Sequence, residues 1–413
     1  MTVTAPVTLT AGPAAATRVP TAAADPVHGR IPTAAADPVP GRVLTAAHPI
    51  PGRYLVVLKG EPASVPRGPA VAAARRAAAD TAERISRTHG GAVRTVFGTA
   101  LRGYAAEMTA AQAQRVAADP AVAYVQEDGL HAVSSTQTDP PWGLDRIDQR
   151  SLPLDRRYTA AQTASNVTAY LVDSGLRTTH AQFQGRAVIG VDKVGDGRQG
   201  ADCTGHGTHV AGIVGGKDYG VAKGVKLVAV RVTDCQDRAA TSAIISAADW
   251  ITAHAIKPAV VNMSINGAAN SAEDEAIKRS IASGITWVVS SGNGGTDACR
   301  NSPARIGTAL VVNNSTSDDV RRSDSNYGSC TDLFAPGTAI TSAGNGSDTA
   351  SRVLTGTSMA APHVAGAAAL FLSTHPSATP AEVHSALIGA ATTGKVRDRG
   401  RDTPDRLLFT GGS

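Results

Sequence analysis

Several features that mark other classes of protein are missing from this chain of 413 residues. It has no run of 18 or more apolar residues, so no membrane-spanning helix is predicted. Its four cysteines form no Cys-x-x-Cys pair, so a zinc site is not expected. Its basic residues form no continuous run and only 4% of its residues are aromatic, so the sequence predicts no nucleic-acid-binding surface.

The positive charge is concentrated in the first third of the chain. Residues 1–134 contain 13 Lys and Arg against 9 Asp and Glu, whereas residues 135–413 contain 26 against 25. The length is sufficient for two or three domains. We predict three segments, with boundaries after residues 52 and 134.

The first segment, residues 1–52, carries a repeat with a period of 12. Arg18–Gly29 is followed by Arg30–Gly41 and by a shortened copy, Arg42–Gly52. Pro and Gly in each copy interrupt helices and strands, and the apolar content is too small for a core, so we predict a disordered Ala- and Pro-rich extension. Met1 to Ala16 has neither a basic start nor a clear apolar run and does not have the pattern of a signal peptide.

The second segment, residues 53–134, predicts a small α+β domain. Its apolar pattern gives the order β-α-β-β-α-β, with helices over 70–88 and 109–119, which is the split βαβ arrangement of ferredoxin-like domains. The last strand is predicted over 121–125.

The third segment, residues 135–413, alternates strand and helix patterns. Strands are predicted over 167–172, 225–232, 259–265, 285–290 and 309–312, and helices over 240–255, 272–283 and 358–373. This pattern predicts an α/β fold of three layers, a doubly wound and mainly parallel sheet with helices on both faces. Functional residues in such folds collect at the carboxyl ends of the strands.

Three motifs in this segment together indicate nucleophilic catalysis. They are Asp173-Ser174-Gly175, the stretch Gly205–Gly212 that contains His206, and the stretch Gly356–His363 that contains Ser358. Alone, the first is an ordinary turn, the second could be a phosphate-binding loop and the third a helix entry capped by serine. Together they supply the carboxylate, imidazole and hydroxyl of a serine hydrolase, in the order Asp, His, Ser.

At these motifs, residues from about Ser135 to Ser413 resemble the subtilisin-like serine proteases of the peptidase S8 family. The stretches Pro141–Gln149 and Tyr219–Lys223 are similar to the aqualysin type of the proteinase K branch. Residues 53–134 resemble the inhibitor-type (I9) propeptide that precedes such proteases. The resemblance implies a secreted serine endopeptidase that acts on polypeptides and is made as an autoprocessed, self-inhibited precursor and is a monomer when mature.

The resemblance also implies the roles of individual residues. Ser358 is the expected nucleophile, His206 its general base, and Asp173 the group that orients His206. Asn293 and the backbone N–H of Ser358 are the expected donors to the oxyanion. The propeptide is expected to template folding and to block the cleft with the tail Gln126 to Ser134, and cleavage is expected near Ser135.

The resemblance implies that a peptide substrate pairs with two exposed chain segments. One consists of Ser264, Ile265, Asn266 and Gly267, and the other of Asp237, Arg238, Ala239 and Ala240. Ser290, Ser291 and Gly292 are expected to line the pocket for the residue before the cleaved bond. Relatives usually have glycine in place of Asn266 and alanine in place of Ser290 and Ser291, so a narrower and more polar pocket is predicted, with its preference left open.

Calcium is the expected cofactor, in a structural role. The resemblance implies one site made by Asp332 and the carbonyls of Gly307 and Ala309, and a second made by Asp145, Asp148 and Gln149; the second could instead be a solvated acidic turn. The four cysteines permit three pairings. The resemblance selects Cys203–Cys235 and Cys299–Cys330, each closing a loop that stabilises the fold by roughly 3–4 kcal/mol.

Two other functions compete with the protease. A catalytically dead relative could act as a binding or scaffold protein, but all four catalytic positions are filled. An esterase or another acyl hydrolase would use the same chemistry, but the chain lacks the Gly-x-Ser-x-Gly motif of lipase-type folds.

Overall fold

A computed structural model describes Met1 and residues 41–46, 49–60, 69–129, 135–160 and 162–411. The chain divides into two compact units, Met1–Leu130 and His131–Ser413. Residues 2–40, which hold nearly all of the first two repeat copies, lie outside the described residues. The disorder predicted for them therefore stays a prediction.

The first unit is a five-stranded sheet with two helices. Its elements are β1 (Val43–Leu44), β2 (Pro49–Leu58), α1 (Pro69–His89), β3 (Ala92–Phe97), β4 (Gly103–Glu107), α2 (Ala110–Ala117) and β5 (Val122–Gly129). The strand order is β1-β5-β2-β4-β3, and all pairs are antiparallel except β1 with β5. From β2 onwards this is the predicted β-α-β-β-α-β arrangement.

The core of this unit is formed by alternate residues of β2 and by the residues on one face of α1. Tyr54, Val56 and Leu58 face inward from β2, with the residues between them less buried. On α1, Ala82 and Ile85 are fully buried on one helix face. Helix α2 begins with a capping box in which Thr109 and Gln112 exchange backbone and side-chain hydrogen bonds.

The structure differs from the prediction at both ends of this unit. Residues 43–44 and 49–52, in the last repeat copy, are strands, because they pair with β5 and extend β2. The last strand, predicted to end at residue 125, continues through Gln126–Gly129, which belongs to β5 and pairs with β1 and β2. Residues 130–134 lie outside the described residues.

The second unit contains a larger sheet and three short antiparallel strand pairs. Its strands are β6 (Ser135–Thr138), β7 (Arg157–Ala160), β8 (Thr168–Asp173), β9 (Ala187–Asp192), β10 (Lys226–Arg231), β11 (Ala259–Met263), β12 (Gly267–Ala268), β13 (Thr286–Ser290), β14 (Asn301–Ser302), β15 (Leu310–Ser315), β16 (Leu333–Pro336), β17 (Ile340–Ala343) and β18 (Ser351–Leu354). Seven strands form a parallel sheet in the order β16-β15-β13-β11-β8-β10-β9.

The helices of this unit are α3 (Trp142–Ile147), α4 (His206–Gly215), α5 (Thr241–His254), α6 (Ser271–Ala282), α7 (Thr357–Thr374) and α8 (Pro380–Ala390). Two short 3-10 helices occupy Ala181–Phe183 and Ala298–Arg300.

Both faces of the parallel sheet are buried. Along β8, Leu171 belongs to the core that contains residues of α4 and α7, whereas Tyr170 and Val172 belong to the core that contains residues of α5 and α6. This arrangement explains why all six residues of β8 are buried. The predicted three-layer α/β fold with a mainly parallel sheet is confirmed.

The carboxyl ends of neighbouring strands bring distant parts of the chain together. Asp173 is the last residue of β8, and Ser290 is the last residue of β13. The strand predicted through residue 265 ends at Met263, and the next residue, Ser264, exchanges hydrogen bonds with Ser358. Ser358 is the second residue of α7.

A buried acidic pair lies in the first turn of α6. Only 4% of Glu273 and 3% of Asp274 are exposed, and Oε1 of Glu273 is buried without a hydrogen-bond partner in the described chain. Asp274 forms an ion pair with Arg305 at 3.0 Å. Burial, with a smaller effect from the charge of Asp274, raises the pKa of Glu273 to about 7. Glu273 therefore holds a proton in the folded chain at a pH where an unfolded chain releases it.

We predict that Glu273→Gln stabilises the chain at pH 8 but not at pH 4. The native state binds the proton more tightly than the unfolded state, so the stability of the parent chain falls as the pH rises from about 4.5 to 7, by up to roughly 3 kcal/mol. Glutamine does not titrate and removes this loss. Denaturant unfolding of both chains at several pH values measures the difference.

The matched control is Glu275→Gln on the same helix. Glu275 is exposed and forms a surface ion pair with Arg279, so its removal should change the free energy of unfolding little and almost independently of pH. A difference between parent and Glu273→Gln that is the same at pH 4 and pH 8 would contradict the prediction.

Candidate active site

The carboxylate of Asp173 lies at the carboxyl end of β8, with 1% of the residue exposed. Its Oδ1 accepts a hydrogen bond from the backbone N–H of Ser174 at 2.7 Å and lies 2.7 Å from Nδ1 of His206. Its Oδ2 is buried and has no hydrogen-bond partner among the described residues. Because an ionised carboxylate only accepts hydrogen bonds, Nδ1 of His206 carries the proton and Nε2 is left as an acceptor.

His206 is the first residue of α4, and the turn before it is held by an aspartate that we did not predict. Gly205 has a φ of 86°, in the left-handed region that glycine adopts without strain. The carboxylate of Asp202 accepts hydrogen bonds from the backbone N–H groups of Gly205 at 2.8 Å and Thr208 at 2.9 Å. An acidic residue just before a helix start was the sequence signal that could have identified it.

Opposing effects act on the pKa of His206. Burial of the ring, the largest single effect, disfavours the imidazolium. The charge of Asp173 and its hydrogen bond act in the other direction, and the charges of Asp237 and Asp202 add to them. The net effect raises the pKa above its usual value of 6.5, so the site stabilises a positive charge on this ring.

The hydroxyl of Ser358 donates a hydrogen bond to the carbonyl of Ser264 at 3.2 Å, and the hydroxyl of Ser264 donates to the carbonyl of Ser358 at 3.0 Å. Within the described chain no hydrogen bond joins Ser358 to His206. The predicted pairing of these side chains therefore stays a prediction. Such bonds often form only when substrate is bound, and a hydroxyl can rotate between acceptors.

Asn293 is held against the start of α7. Its Oδ1 accepts hydrogen bonds from the backbone N–H of Thr357 at 2.9 Å and from the hydroxyl of Thr357 at 3.0 Å. Because the oxygen is occupied, the amide NH2 group is the end that is free to donate. Its Nδ2 lies 3.4 Å from the position that a Cβ of Gly356 would take. The amide therefore lies beside Gly356, which precedes Ser358 by two residues.

The two segments predicted to line the pocket for the residue before the cleaved bond, Ser264–Gly267 and Ser290–Gly292, are in contact. The Nδ2 of Asn266 donates to the carbonyl of Ser290 at 2.7 Å, and the hydroxyl of Ser290 donates to Oδ1 of Asn266 at 2.7 Å. Ser291 does not take part: it is fully buried, its hydroxyl has no partner in the described chain, and its carbonyl accepts from Asn326. Ile265 packs against the α5–α6 core, and Gly267 pairs with Ser302.

The other predicted substrate segment forms a tight turn. The backbone N–H of Asp234 donates to the carbonyl of Arg238 at 2.9 Å, and the Arg238 guanidinium pairs with the Asp234 carboxylate at 2.8 Å. Asp237 has a φ of 57°, and Ala239 forms a bridge with Thr233. Ala240 is the N-cap of α5. The exposed part of this segment is therefore a loop that β10 and α5 hold at its ends.

A buried arginine supports the turn after Asp173, and it too was not predicted. The guanidinium of Arg231, at the end of β10, is fully buried. It donates to the carbonyl of Ser174 at 3.2 Å and forms ion pairs with Asp192 at 2.9 Å and Asp196 at 2.5 Å. Its sequence signal was a charged residue at the end of an apolar strand.

The remaining histidines of the motifs have structural contacts. Nε2 of His209 lies 3.0 Å from the carbonyls of Ile340 and Arg352, and burial lowers the pKa of His209 to about 4. Nδ1 of His363 lies 2.8 Å from the carbonyl of Met359, and burial lowers its pKa to about 4 as well. Both rings are neutral near pH 7.

The predicted acidic cluster near α3 contains carboxylate and amide oxygens, the kind of ligand atom that calcium ions prefer. Both oxygens of Asp145 accept backbone N–H bonds from the turn at residues 155–156. One oxygen of Asp148 accepts from Thr159 at 2.8 Å, and the other is buried without a partner in the described chain. Burial, with smaller effects from the charges of Asp155 and Asp145, raises the pKa of Asp148 to about 6.

Gln149 completes this cluster, with Oε1 accepting from the backbone N–H of Asp155 at 3.1 Å. The oxygens of Asp145 and Gln149 already accept backbone hydrogen bonds, so the buried oxygen of Asp148 is the atom of this cluster that a hard cation would stabilise. No group of three or more His, Cys, Asp or Glu arranged to hold a metal ion is found among the described residues, so calcium binding here stays a prediction.

The predicted site at Asp332 fits calcium less well. One carboxylate oxygen accepts from the backbone N–H of Val311 at 2.8 Å, and the other lies 3.1 Å from Nε2 of His384. The carbonyl-bearing residues Gly307 and Ala309 lie just before β15. Both oxygens of Asp332 thus already have protein partners, and a calcium ion would have to displace the imidazole.

Two disulfides join Cys203 to Cys235 and Cys299 to Cys330, with Cα–Cα distances of 5.4 and 5.3 Å. These are the pairs that the resemblance implied. The first connects the loop before α4 to the loop after β10, and so connects the region of His206 to the turn that contains Asp237.

Comparison with known proteins identifies the class of this chain. A family model described as the subtilase family (peptidase S8) matches residues 164–408, and a model of the peptidase inhibitor I9 matches residues 53–131. The chain belongs to the subtilase family, whose members are serine endopeptidases.

Individual relatives agree with this assignment. The chain is 47% identical to an extracellular serine proteinase of Thermus sp. over 374 residues, which cover 89% of this chain and 91% of the relative. It is 42% identical to alkaline serine exoprotease A of Vibrio alginolyticus, covering 79% of this chain and 62% of the relative. The solved structure of a cold-adapted subtilisin-like serine proteinase matches with a TM-score of 0.65 and 46% identity, over 67% of this chain and all of that one.

In the described part of the chain, none of the helices combines the length and apolar character needed to cross a membrane.

We predict that Asp173→Asn lowers the pKa of His206 below 6.5. The charge and hydrogen bond of Asp173 are the main effects that raise this pKa, and their loss leaves the burial of the ring, which lowers it. NMR titration of the His206 ring in the Ser358→Ala background measures the shift without self-digestion.

Asp237→Asn is the control for this titration. Asp237 raises the pKa of His206 less than Asp173 does, so its substitution should lower the pKa by a smaller amount. The prediction would be wrong if the two variants gave equal shifts, or if Asp173→Asn titrated like the parent chain.

Proposed function

We propose that this chain is a secreted serine endopeptidase that cleaves peptide bonds through an Asp173–His206–Ser358 triad and an acyl-enzyme. The observation that carries the proposal is the 2.7 Å contact between the buried carboxylate of Asp173 and Nδ1 of His206. This contact leaves Nε2 as the basic atom. The motif order and the family membership then indicate Ser358 as the group that it deprotonates.

In the first half of the reaction, Oγ of Ser358 forms a bond to the carbonyl carbon while its proton passes to Nε2 of His206. Asp173 stabilises the resulting imidazolium, in accord with the raised pKa of the ring. The negative charge moves to the carbonyl oxygen. The carbon–nitrogen bond then breaks, the proton passes from Nε2 to the leaving amine, and the acyl group stays on Ser358.

The oxyanion is stabilised by the amide NH2 of Asn293 and the backbone N–H of Ser358. The orientation of the Asn293 amide supports this role, because Thr357 occupies its oxygen. Ser358 is in the first turn of α7, where backbone N–H groups have no partner within the helix and the helix dipole favours negative charge. Water then repeats the sequence, with His206 as base, and releases the acid.

The substrate is a polypeptide in extended conformation. Its backbone pairs with the segment Ser264–Gly267 on one side and with the loop Asp237–Ala240 on the other. Both segments follow strands of the parallel sheet, β11 and β10, at the end where Asp173 lies. We expect the mature enzyme to act as a monomer.

The first unit acts as the enzyme's own folding template and inhibitor. The match to the peptidase inhibitor I9 over residues 53–131 supports this role. Secretion is supported by the extracellular Thermus relative and by the paired cysteines, which persist in oxidising compartments. The enzyme cleaves its own precursor near Ser134 and Ser135.

Calcium has a structural role at Asp145, Asp148 and Gln149. An ion there would neutralise the buried oxygen of Asp148 and connect α3 to the turn before β7. The contact between Asp332 and His384 makes the second expected site, with the carbonyls of Gly307 and Ala309, the weaker of the two.

We predict that Ser358→Ala abolishes maturation as well as proteolysis. The nucleophile is needed for both, so the purified variant should keep its full mass while the parent chain loses the residues before about position 135. Intact-mass measurement over time distinguishes the two. Ser373→Ala at the end of α7 is the control and should mature normally. A Ser358→Ala chain that matures alone at the parent rate would contradict self-cleavage.

We predict that removing calcium lowers the melting temperature. A ligand that binds only the folded state stabilises it by about 2.7 kcal/mol at a hundredfold excess over its Kd. Melting of the Ser358→Ala chain with calcium and with excess chelator measures this difference. Asp148→Asn should reduce it, since asparagine keeps the hydrogen bond to Thr159 but loses the charge.

Asp249→Asn, an exposed position on α5, is the control and should melt like its parent at both calcium concentrations. The assignment of Asp148 would be wrong if Asp148→Asn kept the full effect of calcium.

A further inference from the structure

Two chain segments that follow neighbouring strands are bonded to the start of α7, at Ser358 and Thr357. Strands β11 and β13 are paired in parallel, with Met263 opposite Val289. The segment after β11 is fastened to α7 by the two hydrogen bonds between Ser264 and Ser358. The segment after β13 is fastened to α7 through Thr357, whose hydroxyl accepts from the backbone N–H of Gly292 at 3.2 Å. The two segments thus form walls, with Ser358 at one end.

The side chain of Asn266 spans these walls. Both ends of its amide are bonded to Ser290, Nδ2 to the carbonyl and Oδ1 to the hydroxyl, each at 2.7 Å. The Cγ of Asn266 lies 3.7 Å from the position that a Cβ of Gly292 would take, so the amide also lies against the next part of the opposite wall. Asn266 is half-buried and Ser290 is fully buried.

These hydrogen bonds resist displacement. A side chain that pushed Asn266 aside would leave the hydroxyl and carbonyl of Ser290 buried without these partners, which is unfavourable. A large apolar side chain offers no replacement donor or acceptor. The bridge between Asn266 and Ser290 therefore behaves as a fixed part of the wall, and not as a movable side chain.

We propose that this bridge closes off the depth of the pocket for the residue before the cleaved bond, so that the enzyme cleaves after small residues such as Ala, Ser and Gly and discriminates against Phe, Tyr and Leu. The inference rests on the proposed function, because the space is a substrate pocket only if Ser358 is the nucleophile. A glycine at position 266 would leave the space between the walls open.

The test compares two peptide anilides that are identical except for Ala or Phe before the cleaved bond. The mature parent enzyme should show at least a tenfold higher kcat/KM for the Ala substrate. In Asn266→Gly the ratio should shift by at least tenfold towards Phe, through a gain on Phe. In Ser290→Ala the shift should be smaller, because Asn266 keeps its bond to the backbone carbonyl.

Asn166→Gly is the matched control. Asn166 precedes β8, at the opposite end of the sheet, and its exposed side chain donates to the carbonyl of Ser373. The variant should keep the parental ratio. All rates are normalised to the fraction of Ser358 that a fluorophosphonate reagent labels.

Preference of the parent for Phe, or the same ratio in Asn266→Gly as in the parent, would overturn the inference while leaving the proposed function intact. If Asn266→Gly does not fold, the Ala-to-Phe ratio of kcat/KM in the parent and in Ser290→Ala still tests the inference. Neither cleavage nor labelling of Ser358 in the mature parent would overturn the proposed function, and the inference with it.

Discussion

A buried negative charge at the end of a strand is the constraint on which the rest of this structure depends. Asp173 is almost completely enclosed, and a carboxylate in that position is costly unless donors surround it. The backbone of Ser174 and the ring of His206 supply those donors. The parallel sheet is what makes this possible, since it covers both faces of β8 and leaves only the strand's carboxyl end for polar groups.

Buried ion pairs and a hydrogen bond from Arg231 hold this end of the strand in place. Arg231 is buried on the neighbouring strand β10, where it bonds to the carbonyl of Ser174 and to the carboxylates of Asp192 and Asp196. Its guanidinium also lies 3.7 Å from the sulfur of Cys203. The turn after Asp173, the loop before α4 and the disulfide are thus one connected group, so the position of His206 depends on contacts far along the chain.

The sequence predicted the elements and the motif positions well, because both follow from local patterns. Apolar runs located β8, β11 and β13, and the motif at His206 located the start of α4. What the sequence could not predict were side-chain contacts between segments distant in the chain. The bond from Ser358 to Ser264, the bridge from Asn266 to Ser290 and the role of Arg231 depend on strand order, which periodicity does not reveal. Strand pairing also explains why residues 43–44 were wrongly expected to be disordered.

Four carboxylates in the described chain, those of Asp148, Asp173, Glu273 and Asp274, each keep one buried oxygen without a hydrogen-bond partner. Asp274 is paired with Arg305 through its other oxygen, and the other three cases each differ. At Asp173 the neighbouring imidazole can become positively charged, which couples the buried charge to proton transfer. At Asp148 burial and the charges of Asp155 and Asp145 raise the pKa to about 6, and the calcium ion that we propose would compensate the charge in place of a proton. At Glu273 burial and the charge of Asp274 raise the pKa to about 7, and a proton stays on the carboxyl group below that pH. The same physical cost therefore indicates catalysis, metal binding or pH-dependent stability, according to what lies beside the carboxylate.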